Sequence, residues 1–368
     1  MLRHPSLLLS AALFALLGPS PGRAEDKPSA EKLEGRHLAN IRQVTFGLPR
    51  AGEGYFSPDG THIVYQAYPI GYPFYQIYVQ KLGETTPPGM GERRRIQSGT
   101  PRRISPGRGR TTCSYFHPDG KQILFASAHT DPHLDVTELK ARQLAAKGGR
   151  RRYQWDFDPY MDIYACNFDG TGLKRLTKEH GYDAEGSYSS DGKQIVFTST
   201  RGGDPDIYVM NADGSHVRRV VKAKGYDGGP FFSPDDKWII FRSDRHKEHM
   251  LQLFAVSVDG KHEVQLTKNL GQVNWCPYFH PSGKYLIWSG ADYSRGPRGA
   301  HFQLHTMDVS WTDAAFKGGK VTQITYSPKA DVLPVFSPDG KKLMWTSTRS
   351  KDGSSQLFIA DWLRERGK

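Results

Sequence analysis

Cysteine is scarce in this chain: Cys113, Cys166 and Cys276 are the only three in 368 residues. Three is an odd count, so a fully paired disulfide framework is excluded. Long apolar runs are also missing. Beyond Leu17 no segment approaches the ~18 apolar residues that a membrane-spanning helix needs. The fourteen histidines show no metal-ligand spacing. No nucleic-acid-binding motif accompanies the basic charge, so nucleic acid is not expected as a partner. There is no G-x-S-x-G nucleophile elbow, which argues against serine hydrolysis.

What is present begins with a leader. Arg3 supplies a positive start, Leu7 to Leu17 an apolar centre, and Gly22-Arg23-Ala24 a small-residue cleavage site. Residues 1–24 therefore read as a secretory signal peptide, and a periplasmic or secreted protein is expected with no transmembrane segment after cleavage. Loss of Arg3 and Arg23 leaves 48 basic against 38 acidic residues, net +10. That balance suits anionic partners, or simply an ordinary basic exported protein.

The mature chain is organised by a repeat. A turn motif recurs as FSPDG at 56–60, FHPDG at 116–120, YSSDG at 188–192, FSPDD at 232–236, FHPSG at 279–283 and FSPDG at 336–340. Asp satisfies its own backbone there, and Gly accepts positive φ without a steric cost. Each turn is followed by a short apolar strand: HIVYQ, QILFA, QIVFT, WIIFR, YLIWS and KLMWT. A third strand follows (YQIYV, MDIYA, PDIYV, LQLFA, FQLHT, SQLFI). A fourth segment then comes, usually carrying Thr or Ser (RQVTF, RRISP, KRLTK, RRVVK, VQLTK, TQITY). Four short strands per unit at this period mark a β-propeller. The fold class is therefore all-β, a six-bladed β-propeller over residues 41–362.

The phase of the repeat predicts how the ring closes. The first copy of the fourth segment precedes the first turn motif, and the last unit ends after its third strand. Gln43 to Phe46 should therefore be the outer strand of blade six, pairing near Gln356 to Ile359 and removing an open edge. Residues 25–40 read as an arm or short helix, and residues 363–368 as a tail. Two insertions stand out, 82–99 in blade one and 128–157 in blade two. Within the second, Asp135 to Lys147 reads as a helix with Leu139 and Leu144 on one side. Arg150-Arg151-Arg152 beside Tyr153, Trp155, Phe157 and Tyr160 suits either a solvated loop or an anionic polymer.

Topology then sorts the loops. The turn motifs lie at one end of every blade, and the starts of the first strands lie at the other, around the channel mouth. Three residues before each motif aromatic come Glu53, Cys113, Glu185, Gly229, Cys276 and Leu333. Five residues before come Ala51, Thr111, Asp183, Asp227, Asn274 and Asp331. Five carboxylates thus face one opening, and Asn274 joins them in the expected ligand-binding set. Arg201, Arg245 and Arg349, with His129, His133, His246 and His249, belong to the same face. Arginines beside carboxylates suit ion pairs tying blades together, while crowded carboxylates suit a hard divalent cation or acid–base work. Cys113 and Cys276 occupy the same position in opposite blades, beyond the ~7 Å Cα reach of a disulfide, and none is expected.

The FSPDGK turn, the TSTR after the second strand, the DIYVMNADG block and the closing RLT-like segment resemble the TolB-like β-propeller family of exported bacterial proteins. The segments HLANIRQVTFG, GRGRTTCSYFHPDGKQILFAS and GYDAEGSYSSDGKQIVFTSTR resemble a lone-propeller branch of it. The resemblance runs over about residues 37 to 362. It implies a bacterial envelope protein, but folds of this type host many functions. TolB proteins carry an α/β domain before the propeller and act with Pal and TolA. Only about 17 residues lie between the expected cleavage site and the first outer strand, so that domain is not expected here and the Tol–Pal role does not carry over with the resemblance. The favoured expectation is a monomeric, non-catalytic scaffold holding an envelope protein or peptide at the acidic mouth. The alternative is a metal-assisted polysaccharide lyase or glycosidase using the same carboxylates.

Overall fold

In the computed structural model, described over residues 28–83, 99–147, 157–297 and 300–363, six four-stranded antiparallel sheets form the propeller. Residues 1–27 with the expected signal peptide, residues 84–98 of the first insertion, Arg150-Arg151-Arg152 with Tyr153 and Trp155, and the tail from 364 lie outside the described residues. Each blade starts at the channel with an inner strand. These are Ala51–Phe56, Thr111–Phe116, Asp183–Tyr188, Asp227–Phe232, Gln272–Phe279 and Asp331–Phe336 for blades one to six. The second strands, from His62–Ala67 in blade one to Lys342–Ser347 in blade six, hold the most deeply buried side chains. Trp238, Trp345, Tyr65, Phe125, Phe197 and Phe241 are among the largest of these. Such strands are apolar on both faces because each blade is packed on both sides by its neighbours.

The turn chemistry is visible atom by atom. Ser57 Oγ donates to Asp59 Oδ1 at 2.5 Å, and Ser189, Ser233 and Ser337 do the same to Asp191, Asp235 and Asp339. The closing residue needs positive φ: Gly60, Gly192 and Gly340 lie at 70°, 72° and 69°. Blade four has Asp236 there instead, at φ 58°. Its carboxylate accepts the Ser190 and Asp191 backbone N–H groups at 2.7 and 3.2 Å, so the strained residue ties two turns together.

The Thr/Ser signature of the fourth segment has a related task. The hydroxyls of Thr45, Ser105, Thr177, Thr267 and Thr325 accept the N–H of Leu357, Ile77, Ile163, Leu253 and Leu304 respectively, at 2.8 to 3.0 Å. Basic residues on the outer strands reach to the next blade. Arg102 donates to Phe168 O and Asp169 O, Lys174 to Asp213 O, and Arg218 to Val258 O.

Blade six completes the ring from both ends of the chain. Leu38–Gln43 pairs antiparallel with Gln356–Trp362, Leu38 opposite Trp362 and Gln43 opposite Phe358. The strand starts earlier than the RQVTF repeat suggests, because Leu38 is buried beside Trp362 in the same apolar cluster. Residues Val44 and Thr45 continue the closure through bonds to Leu357. Ahead of it, helix α1 (Ala30–Glu34) buries Glu34 against the ring.

In the second insertion, helix α2 (Leu134–Ala146) buries Leu134, Glu138 and Ala141. Leu139 and Leu144 are exposed instead. The anchor is polar: Glu138 accepts from Tyr72 Oη at 2.5 Å and Gly109 N at 3.3 Å.

Candidate binding site at the channel mouth

Every inner strand is interrupted at the same place. Pairing with the second strand shifts register between Gly52 and Gly54, Thr112 and Tyr115, Ala184 and Ser187, Gly228 and Phe231, Trp275 and Tyr278, and Val332 and Val335. The residue three before the motif aromatic sits inside each bulge with positive φ. The values are 44° for Glu53, 52° for Cys113, 57° for Glu185, 58° for Gly229, 53° for Cys276 and 57° for Leu333. Five of these six residues have a side chain that disfavours this conformation. Bulges of this kind re-aim a side chain, and here six of them assemble one ring.

The residues five before the motif aromatic do not join that ring as free charges. Asp183 binds Arg201 Nη2 at 2.8 Å, Asp227 binds Arg245 Nη2 at 3.0 Å, and Asp331 binds Arg349 Nη2 at 2.5 Å. Each arginine also bonds the serine at the end of the second strand, Ser199, Ser243 or Ser347. The guanidinium lies over an aromatic ring of the same blade: Phe197, Phe254 or Trp345. These pairs therefore lock the strands of one blade and do not tie blades to each other. Burial pushes all three carboxyls up against the pull of the arginines, Asp227 to about 6. Blade two replaces the pair with Thr111, Ser127 and His129, and blade five sets Asn274 against Trp288 Nε1 at 2.8 Å. Two of the three arginines hold a second carboxylate: Arg245 pairs with Glu263 of its own blade at 2.6 Å, and Arg349 with Glu34 of α1 at 3.2 Å.

Within the bulge ring, Glu185 is fully engaged. It accepts from Tyr226 Oη, Gly229 N, Thr198 Oγ1 and Arg242 Nη2, all at 2.7 to 2.9 Å. Arg242 is 4% exposed and also bonds Tyr226 Oη at 2.7 Å. This cation, absent from the expected set, occupies the second-strand position that carries Gln66, Ala126, Thr198, Ser289 and Thr346 elsewhere. Its space comes from Gly229, where a Cβ would stand 1.8 Å from Arg242 Nη1. The signal lay in the sequence as a coincidence within one blade. The only ring position without a side chain belongs to the only second strand carrying a charge there.

Glu53 lies on the other side of the ring and is half-buried. Its Oε2 is 3.9 Å from Cys113 Sγ, and among the described residues it has no ion-pair partner. Burial, then the Glu185 charge, push its carboxyl up to about 7. The Cys113 and Cys276 thiols are also pushed up by burial, and all three cysteines are free.

Below the ring the channel is shut. Tyr55, Tyr115, Phe231 and Tyr278, each one residue before a motif aromatic, pack with centroids 5.0 to 6.2 Å apart. Tyr115 and Tyr278 come from opposite blades, and their hydroxyls meet at 3.2 Å on the axis. Above the ring, Phe157 is 40% exposed and packs on Tyr182 and Tyr226 at 5.2 and 6.0 Å. Phe157 also lines a cleft of about 300 Å³ with Arg110, Asp131, His133, Thr137 and Tyr160. The channel is thus a blind cup, open toward the second insertion.

The four histidines of this face are scattered. His129 bonds Ser127, His133 stands at the N-terminal end of α2 without a side-chain capping bond and lines the cleft, His246 lies near Phe254, and His249 is exposed beside Glu248. Among the described residues no group of three or more His, Cys, Asp or Glu is arranged to hold a metal ion. Among them, too, no helix is long and apolar enough to cross a membrane.

Comparison with known proteins agrees with the architecture. Residues 156–297 match the family described as TolB beta propeller domain. A stretch of 102 residues is 28% identical to the protein TolB homolog of Chlorobium luteolum, covering 24% of this chain and 23% of that relative's length. TolB from Acinetobacter baumannii superposes with a TM-score of 0.51 at 19% identity, over 85% of this chain and 64% of that one. An oligogalacturonate lyase from Vibrio parahaemolyticus gives 0.51 at 11% identity, over 89% and 94%. At these identities the structural likeness concerns the fold alone.

Proposed function

Since this chain is a TolB-like β-propeller, we propose that it is an exported, non-catalytic scaffold of the bacterial periplasm that holds an envelope protein or peptide at its channel mouth. The observation that carries this reading is the blind cup. Its floor is closed by Tyr115 and Tyr278, its wall exposes Glu53 and Cys113, and its lip carries an exposed Phe157. A pocket with an apolar floor and few convergent polar groups is the usual form of a ligand site. Asp183, Asp227 and Asp331 belong to the frame of this cup, since each is already neutralised by an arginine of its own blade.

Plugging the cup tests the reading. Cys113 is half-buried within it, whereas Cys166 and Cys276 are buried. The mature protein should capture a partner from an envelope extract, and coupling a bulky maleimide to Cys113 should abolish that capture. Undiminished capture by the plugged protein would move the binding surface elsewhere.

A further inference from the structure

The charges around the cup are balanced at every position but one. Asp183, Asp227 and Asp331 each face an arginine within 3.0 Å, and Glu185 faces Arg242 at 2.9 Å. Glu53 has no such partner among the described residues, and it is the one of the five acidic residues that is half-buried and not buried. Its backbone is held at φ 44° with its N–H bonded to Thr346 Oγ1 at 3.0 Å, so the side chain is aimed by the bulge. Beside it stand the Cys113 thiol and the hydroxyl of Tyr55, a residue of the aromatic floor.

We propose that Glu53 is the docking carboxylate of the cup and receives a single cationic group, an ammonium or guanidinium, carried by the bound partner. The inference rests on the cup being the binding site. Three features set the chemistry. The lone carboxylate supplies one negative charge in a water-poor setting, where an opposite charge is held more strongly than on the surface. The aromatic floor accepts the alkyl stem of a lysine or arginine side chain, and its ring faces attract a cation. Arg242 hydrogen-bonds Glu185 and Tyr226 and reaches Glu53 through its charge, which is outweighed there by burial and the Glu185 charge. An anionic ligand would meet the uncompensated Glu53 charge and is disfavoured. The cup therefore selects a basic peptide segment over an acidic one.

The test uses n-hexylammonium as probe, with n-hexanol and hexanoate as size-matched controls. Binding is followed by ligand-observed NMR at pH 8, where Glu53 is ionised. The ammonium should bind at least tenfold more tightly than hexanol, and hexanoate more weakly than either. Glu53→Gln should bring the ammonium-to-hexanol ratio near one, and Glu53→Asp, with its carboxylate drawn back, should give an intermediate ratio. Melting curves establish that each variant is folded. A wild-type ratio near one, or a ratio unchanged in Glu53→Gln, would overturn the proposal. Such a failure is distinct from failure of the scaffold reading. In the first case capture of the envelope partner remains sensitive to plugging Cys113, and in the second it does not.

Discussion

Glu53 and Arg242 show how the same ring can hold one charge for the fold and another apart from it. Glu53 titrates near 7 in the folded chain, against 4.5 ordinarily. Between those values the folded protein keeps a proton that the unfolded chain has lost. Stability therefore falls as pH rises from about 4.5 to 7, by at most about 1.4 kcal/mol per pH unit. Glu53→Gln should flatten that slope and raise the melting temperature most above pH 7. A slope that persists in the variant would assign it to another group. Arg242 behaves oppositely. It is the buried partner of Glu185 across blades three and four, and Arg242→Met leaves that carboxylate buried without its cation. Breaking a buried pair in this way costs about 3–5 kcal/mol, and urea unfolding should show a loss of that order. A loss below about 1 kcal/mol would mean that Tyr226, Thr198 and the Gly229 N–H suffice for Glu185.

The blade is the level at which the sequence was most readable and also most misleading. Ser-x-Asp turns, apolar second strands and Thr or Ser hydroxyls recur because most blades repeat the same local hydrogen bonds, so spacing alone locates them. Spacing also places Asp183, Asp227 and Asp331 near the mouth. It does not say which way they are drawn, because that depends on Arg201, Arg245 and Arg349 folding back over their own strands. Arg242 was hidden for a related reason: its meaning depends on the missing side chain of Gly229 across the bulge. The clamps make an ordered prediction. Asp183→Asn leaves Arg201 with neutral acceptors only, whereas Asp227→Asn leaves Arg245 paired with Glu263 at 2.6 Å. Each substitution should destabilise by about 1–3 kcal/mol, with the Asp183 variant the worse of the two. Equal losses, or a gain in either variant, would show that the arginines are satisfied by water.

At the scale of the whole ring, stability depends on one seam, since five blades are continuous in sequence and the sixth joins the two ends of the described chain. The phase of the repeats made that seam legible, but the exact strand was not, because Leu38 departs from the RQVTF pattern and is fixed by Trp362. The seam has two parts that can be separated. Helix α1 contributes Glu34, which bonds Arg349 and the Tyr326 N–H, at 3.2 and 2.7 Å. The strand Leu38–Gln43 and the two residues after it contribute the ladder to Gln356–Trp362, the Thr45 hydroxyl, and the buried side chains of Leu38 and Val44. Burying those two side chains alone is worth about 3–6 kcal/mol, and their loss also exposes the edge of Gln356–Trp362 to other chains. Removing residues 25–37 should therefore lower the melting temperature by only a few degrees. Removing residues 25–46 should lower it far more and produce concentration-dependent aggregation as open rings pair edge to edge. If both truncations melt together, Glu34 and its arginine carry the closure and the strand merely follows. If neither moves, the ring is held by the blade-to-blade contacts of its inner strands, and the N-terminal strand is decoration on a finished propeller.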